Sequence, residues 1–288
     1  MTIGRADFRF FDRLRVRWAE VDMQKIVFNG HYLAYVDTAD GGNLRALALP
    51  YQEAMARLAG DLFVRKATLD YHAAAEYDDL LEIGVRCHKV GKSSLHFQAA
   101  VFRGPSLLVG AELVYVFADP VARVSQALPA ALRQIFDDYE EGRAMVQVRV
   151  GGWQHLAADA QALRSQVFVA EQHVPATLEQ DGADEACLHA VAYNGLGMAV
   201  ATGRLMAHAP GVARIGRMAV LRPLRGQRIG DAVLAALVDA ARERGEREVV
   251  LHAQLSAVPF YRRAGFEVCG PVFEEAGFAH IDMSRRLG

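Results

Sequence analysis

Two different hydrophobic rhythms meet near residue 143, and one layered domain cannot satisfy both. Ahead of that point a single helical stretch, from Gly30 to about Leu47, carries Tyr32, Tyr35, Val36, Ala39 and Leu44 at helical intervals. Strand-like segments follow it: "LLEIGVRCHKV", in which Leu81, Ile83, Val85 and Cys87 alternate, then "SLHFQAAVF" and "LVGAELVYVF", with turn residues at Gly91 and at Gly104 to Pro105. The pattern predicts one buried helix against a long antiparallel sheet. Gly41 and Gly42 each cost about 1 kcal/mol relative to alanine inside a helix, so their presence predicts another backbone, that of the sheet, passing close by.

Beyond Pro129, "AALRQIFDDYEEGR" predicts a terminal helix whose charged end at Arg143 is the best linker candidate in the chain. The expected domains are therefore 1–143 and 144–288. In the second, the order becomes strand (146–150), helix (157–171), strands from Leu188 to Val220, a helix from Gly226, a strand "REVVLHA" and a short helix around Phe260. That is a mixed α/β pattern. With no internal repeat, the halves read as two unlike domains.

Thirty-two Lys and Arg against 34 Asp and Glu leave a formal charge of −2, so no basic field invites nucleic acid or an anionic membrane. No apolar run approaches the roughly 20 residues of a membrane span, and "MTIGRADFRFFDRL" lacks the hydrophobic core of a secretion signal, so the cytoplasm is the expected compartment. Cys87, Cys187 and Cys269 form no CxxC pair; all three read as small buried residues rather than disulfide or thiolate metal ligands.

One carboxylate, Asp22, stands shortly before the long helix. Hydrolysis of an activated acyl group needs a carboxylate to deprotonate water or attack directly, and backbone donors to hold the carbonyl oxygen. Amides of the first helical turn near Gly30 and His31 would supply such donors together with the positive end of the helix dipole. The alternative is a helix cap or an ordinary surface carboxylate; Asn29, immediately before Gly30, fits the capping role better and leaves Asp22 free. Glu20 is a weaker candidate, and His31 also reads as a packed imidazole.

The segments "VRWAEVDMQKIVFNGHYLAYVDTA", "YHAAAEYDDLLEIGVRCHKVGKSSLHFQAAVF" and "LLVGAELVYVFAD" together resemble the hotdog-fold acyl-CoA thioesterases of the hydroxybenzoyl-CoA type over most of residues 10 to 135. The resemblance implies an α+β fold with an antiparallel sheet around a central helix. It also implies Asp22 as general base or nucleophile, helix-start amides polarising the thioester carbonyl, and Asn29 where members carry His or Asn. Tyr77 to Leu80 and Gly91 to Ser94 fall in recurrent family segments. Two positions depart from the pattern: Lys25 stands where a glycine is usual, and Trp18 where an aromatic hydroxyl is common. Hotdog subunits pair side by side, which implies a homodimer or homotetramer.

In the second half "VLRPLRGQRIGDAVLAAL" opens a helix with a basic, glycine-containing turn suited to a pyrophosphate. Ile229, Val233 and Leu237 form its predicted buried face, and Gly245 ends it. With "RIGRMAVL" and "VVLHAQLSAVPFYRRAGFEVCG", it resembles the GNAT superfamily of N-acetyltransferases, an α/β fold, over residues 146 to 288. That resemblance implies that Arg225, Gly226, Gln227, Arg228, Ile229 and Gly230 form the acetyl-CoA pyrophosphate loop. It further implies that Met218, Ala219 and Val220 bond the acetyl and pantetheine groups, and that Tyr261 protonates the departing thiolate. Arg228 replaces a customary glycine.

"VFVAEQHVPATLEQDGAD" and "FEEAGFAHIDM" point to a group of bacterial acetyltransferases within that superfamily. Glu171, His189 and His280 are candidates for lining the acceptor site and removing the amine proton; each singly is also plausible as a structural residue, and no HxxxH-type spacing supports a metal there. The expectation is an enzyme with no tightly bound cofactor, using acyl-CoA and acetyl-CoA as substrates and an amine as acceptor. Two rivals are a GNAT half that senses acetyl-CoA without transferring it, and a hotdog that hydrates an acyl-CoA. The second lacks the Asp/His pairing expected in one loop.

Overall fold

A computed structural model describes residues 3–288. The chain separates into two compact units, Met1–Met145 and Val146–Gly288.

The first unit contains, in chain order, β1 (Phe10–Arg15), α1 (His31–Ala46), α2 (Tyr51–Leu58), β2 (Asp61–Tyr71), β3 (Leu80–Val90), β4 (Ser94–Arg103), β5 (Ser106–Ala118) and α3 (Ala130–Glu140). The strands form one antiparallel sheet in the order β1-β3-β4-β5-β2. Helix α1 packs on that sheet because Tyr32, Tyr35, Val36, Ala39 and Leu44 share one buried face, as their spacing predicts. Helix α3 adds Phe136 against Phe97 of β4, ring centroids 5.7 Å apart.

A Cβ at Gly42 would fall 2.7 Å from Cζ of Phe10 and 3.1 Å from Oδ2 of Asp12, so the close neighbour is side chains of β1 rather than a strand backbone. Gly41 meets only Arg45 of its own helix, at 3.8 Å, so packing does not require glycine there. Strands β1 and β2 escape the periodicity because each is an outer strand of the sheet, and β2 is exposed along most of its length. A strand that buries neither face consistently leaves no alternation to read.

The second unit contains β6 (Val146–Gly152), α4 (Trp153–Arg164), a π-helical stretch (Ser165–Glu171), α5 (Ala176–Glu179), β7 (Leu188–Asn194), β8 (Ala199–Ala209), β9 (Val212–Val220), α6 (Ile229–Glu243), β10 (Glu248–Gln254), α7 (Val258–Arg263), β11 (Glu267–Glu275) and β12 (Phe278–Arg286). Its sheet runs β11-β12-β10-β9-β8-β7-β6, with β9 and β10 parallel and the remaining pairs antiparallel. The helix expected over 157–171 begins at Trp153, and its last seven residues widen into the π-helical stretch. The helix expected from Gly226 begins at Ile229, with Ile229, Val233 and Leu237 buried as predicted. The β11–β12 hairpin was not legible in the sequence, since β11 is an exposed outer strand.

Cys87 and Cys187 are buried, and burial pushes the Cys87 thiol up to about 12. Cys269 is exposed, contrary to expectation, because it lies on that outer strand. No helix among the described residues is long and apolar enough to cross a membrane.

Candidate functional site

In the first unit, Asp22 lies in a short hairpin-like loop ahead of α1. Val21 bridges Val27, the Asp22 amide donates to the Ile26 carbonyl at 2.9 Å, and the Lys25 amide donates to the Asp22 carbonyl at 3.0 Å. Lys25 adopts φ +64°, the left-handed conformation that glycine takes without strain. The loop therefore keeps the turn that a glycine would make, despite the lysine. Asp22 is half-buried; Oδ1 accepts the Gln24 amide at 2.7 Å, while Oδ2 meets no partner among the described residues.

Two expectations about the helix start need correction. Gly30, not Asn29, is the N-cap, no side chain caps it, and the Asn29 carbonyl accepts the Tyr71 hydroxyl at 3.0 Å. The His31 amide donates to the Phe28 carbonyl at 2.9 Å, so it is not free, whereas the Gly30 amide has no carbonyl partner among the described residues. The His31 ring stands edge-on to Phe28, with centroids 6.1 Å apart.

Glu20 is committed elsewhere. It is buried, receives Arg17 through backbone and side chain, and accepts the Tyr35 hydroxyl at 2.8 Å. Burial pushes its carboxyl up, but those hydrogen bonds outweigh it and hold the group below its ordinary range. Trp18 is 75% exposed and packs edge-on against Tyr77 at 5.5 Å. Asp40, on the buried face of α1, is a different case: burial pushes its carboxyl up to about 7, and Oδ1 has no hydrogen-bond partner.

In the second unit, β9 and β10 pair only from Glu248↔Val212 to Val250↔Arg214, while β9 runs on to Val220 and β10 to Gln254. Past Arg214 the strands part, leaving one edge of β9 unpaired, while its other edge stays bonded to β8 through Ala219 and Val220. A cavity of about 380 Å³ opens there, lined among others by Met218 of β9, Gln254 of β10, Phe168 of the π-helical stretch, Tyr261 of α7 and His280 of β12. Tyr261 is buried, and that burial holds its phenol well above the usual range. A phenol so placed stays protonated and can donate to a developing thiolate.

The turn between β9 and α6 carries the residues expected to form a phosphate cradle. Gly226 has φ +86° and Arg228 φ +60°, and neither amide has a carbonyl partner among the described residues. The Gln227 amide, in contrast, donates to Leu224 at 3.4 Å. Ile229 buries its side chain, and a Cβ at Gly230 would sit in ordinary contact with Val220 and Phe260. The Arg228 side chain is 87% exposed and lies 3.3 Å from Asp231.

Arg225 and Glu171 hold each other, at 2.6 and 2.8 Å across two parallel bonds, and Arg225 also donates to the Val220 carbonyl at 3.1 Å. The guanidinium is thus engaged before any phosphate arrives, and the carboxylate expected as a base serves as its counter-ion. The amides of the turn, the positive end of α6 and the exposed Arg228 are the groups there without a carboxylate held in two parallel bonds. His189 does not line the cavity: it is fully buried, packs 4.7 Å from Trp153, and its ring faces the Asp184 carbonyl at 3.0 Å. His280 does line it, with Nδ1 2.9 Å from the Phe278 carbonyl.

Several lining residues had no signature in the sequence. His252, Glu275, Arg214 and Glu179 come from four separate elements and meet only through the fold. Glu179 is buried against Arg164, inside a network in which Arg164 and Arg204 share Asp184 and Arg204 also holds Asp181. Hydrogen bonds from Arg204 hold the Asp181 carboxyl far below its usual range.

Comparison with known proteins agrees with both halves. The Thioesterase superfamily profile matches residues 24–109, and the Acetyltransferase (GNAT) domain profile matches residues 154–287. An uncharacterized N-acetyltransferase of Bacillus subtilis, YjcF, is 36% identical over 44% of this chain and 90% of its own length. An acyl-CoA thioester hydrolase of Escherichia coli O6:H1, YbgC, is 30% identical over 41% of this chain and 89% of its own length. Among solved structures, Escherichia coli ElaA is 27% identical with a TM-score of 0.45, covering 49% of this chain and 99% of that one. The chain belongs through its first half to the thioesterase superfamily, with a hotdog fold, and through its second half to the GNAT acetyltransferases.

Proposed function

We propose that the chain is a bifunctional CoA-thioester enzyme whose first unit hydrolyses acyl-CoA thioesters and whose second unit transfers acetyl from acetyl-CoA to an amine. The observation that carries the reading is the pairing of chemical groups in each unit. Asp22, with one unengaged oxygen, lies in the loop that precedes a helix start with an unengaged amide; Tyr261 lines a cavity between parted strands, and its neighbour Phe260 packs near Gly230 at a second such helix start.

In the hydrolytic half, the Asp22 carboxylate deprotonates water or attacks the thioester carbon, and the Gly30 amide and α1 dipole stabilise the developing oxyanion. Met23, Phe28, Leu33, Phe63, Val64 and Tyr71 are all exposed, and Tyr71 ties the end of edge strand β2 to the Asp22 loop through Asn29. Burying that surface and covering that edge calls for a second copy, as in a homodimer or homotetramer of hotdog subunits. In the transfer half, the cradle holds the pyrophosphate, the free edge of β9 at Met218 to Val220 holds the pantetheine, and Tyr261 protonates the leaving sulfur.

A purely regulatory acetyl-CoA-binding second half would not need the polar side chains that line the cavity beyond Tyr261, so catalysis is the favoured reading. The test is free-thiol release by the full chain across a panel of acyl-CoAs, with and without primary amines. Amine-independent release from at least one acyl-CoA and amine-dependent release from acetyl-CoA are expected. Absence of either removes the corresponding activity. The setting in which such an enzyme works is expected to be the cytoplasm, where both thioesters are at hand.

A further inference from the structure

Past Tyr261, the cavity of the second unit reaches a group of titratable side chains that the acetyl-transfer reading leaves unused. His252 lies on β10 just beyond the last residue paired with β9, where the strands have parted, and it lines the cavity. Its Nδ1 is 2.8 Å from Oε2 of Glu275 on β11, and its Nε2 is 3.3 Å from Oδ1 of Asp282 on β12. The Nη2 of Arg214 on β9 packs against the ring, 2.6 and 2.9 Å from its two nitrogens, and Phe273 closes another side at 4.9 Å. Three strands and two carboxylates thus fix one imidazole at the wall of a thioester-sized space.

Nδ1–H is assigned to Glu275, the nearer of the two carboxylates, which leaves the lone pair on Nε2, where Nη2 of Arg214 at 2.9 Å can donate to it until an amine displaces that contact. Asp282 beside Nε2 draws a cation to the same point. A carboxylate that fixes the tautomer of an imidazole which in turn faces the reaction space is the arrangement by which histidine acts as a base.

We propose that His252 is the proton acceptor for the incoming amine and Glu275 its positioning residue; the assignment rests on the acetyl-transfer reading. The amine arrives as an ammonium ion. Nε2 of His252 takes one proton, and the freed nitrogen attacks the thioester carbonyl carbon. The new C–N bond forms, the C–S bond breaks, and the sulfur leaves with the electron pair and takes a proton from Tyr261. The attacking nitrogen's second proton restores the Tyr261 phenol, and His252 releases the first to water, so each turnover yields amide, CoA thiol and one proton.

The test uses the full chain, acetyl-CoA, and ethylamine, tyramine, glycinamide and spermidine as probe amines. His252→Gln is expected to lower kcat/KM at about pH 7 by roughly 100-fold or more. The deficit should shrink toward about pH 9, because bulk water then deprotonates the amine unaided. Glu275→Gln is expected to lower kcat/KM by about tenfold, and neither variant should change acetyl-CoA affinity by calorimetry, which also reports that both remain folded. A deficit equal at every pH, or none, overturns the assignment, as does a wild type that binds acetyl-CoA and acetylates no probe amine. A wild type that fails to bind acetyl-CoA overturns the acetyl-transfer reading beneath it.

Discussion

The loop that leads into α1 and the loop that leads into α6 solve the same problem with different means. Each ends at a helix start with unengaged amides, and each places a long basic residue, Lys25 or Arg228, at a positive φ. They differ in what surrounds them. Around α6 the parting of β9 and β10 makes a cavity within one unit, whereas the Asp22 loop borders exposed apolar residues and an uncovered sheet edge. A parallel pair that diverges builds its own pocket; an antiparallel sheet with an open edge builds one by association. On the proposed reading, a second copy would complete the first site, whereas the second is enclosed within its own unit.

The largest expected effect breaks the comparison on the hydrolytic side. Asp22→Asn should lower acyl-CoA hydrolysis by about 1,000-fold while acetyl-CoA affinity, followed by calorimetry, stays unchanged. Val64→Lys, placed on the β2 edge, should shift sedimentation toward monomer and lower hydrolysis in parallel, with amine acetylation unaffected.

A stability difference should follow from Asp40. Its carboxyl is raised from the unfolded value near 4 to about 7, so the native state binds the extra proton between those values. Stability from this group is full below about pH 4, falls as pH rises and is lost above about pH 7. Asp40→Asn should therefore match the wild type in urea denaturation near pH 4 and exceed it near pH 8, by on the order of 2–4 kcal/mol. Equal gaps at both pH values would show that burial does not act through ionisation there.

Smaller effects sharpen the likeness between the loops. Gly226→Val, forced into φ +86°, should weaken acetyl-CoA binding by about tenfold or more. Lys25→Gly and Arg228→Gly should each stabilise the chain against urea by about 1 kcal/mol, since glycine relieves the left-handed strain. Arg228→Gly should at the same time loosen acetyl-CoA, because the exposed cation near the cradle is lost, whereas Lys25→Gly should leave acetyl-CoA affinity untouched.

What the sequence disclosed depended on burial. The face of α1 through Tyr32, Tyr35, Val36 and Ala39, and that of α6 through Ile229, Val233 and Leu237, left their periods in the chain because each packs on a sheet. Strands β1, β2 and β11 did not, being outer strands without a consistent apolar face, whereas outer β6 was legible because Val146, Val148 and Val150 alternate with polar residues. A candidate group could be named where one loop supplies it, as at Asp22 or Gly226. It was not readable where the fold assembles it, as at His252, Glu275 and Asp282, or where a partner consumes it, as Arg225 consumes Glu171. Pairing across 54 positions of sequence leaves no trace in spacing.

Two separate reactions on one chain predict a double dissociation. Free-thiol release from acyl-CoA without amine, and amide formation from acetyl-CoA with amine, are measured for the wild type, Asp22→Asn and Tyr261→Phe. Asp22→Asn should lose only the first activity and Tyr261→Phe only the second. Loss of both activities in either variant, or full hydrolysis by Asp22→Asn, would contradict that separation.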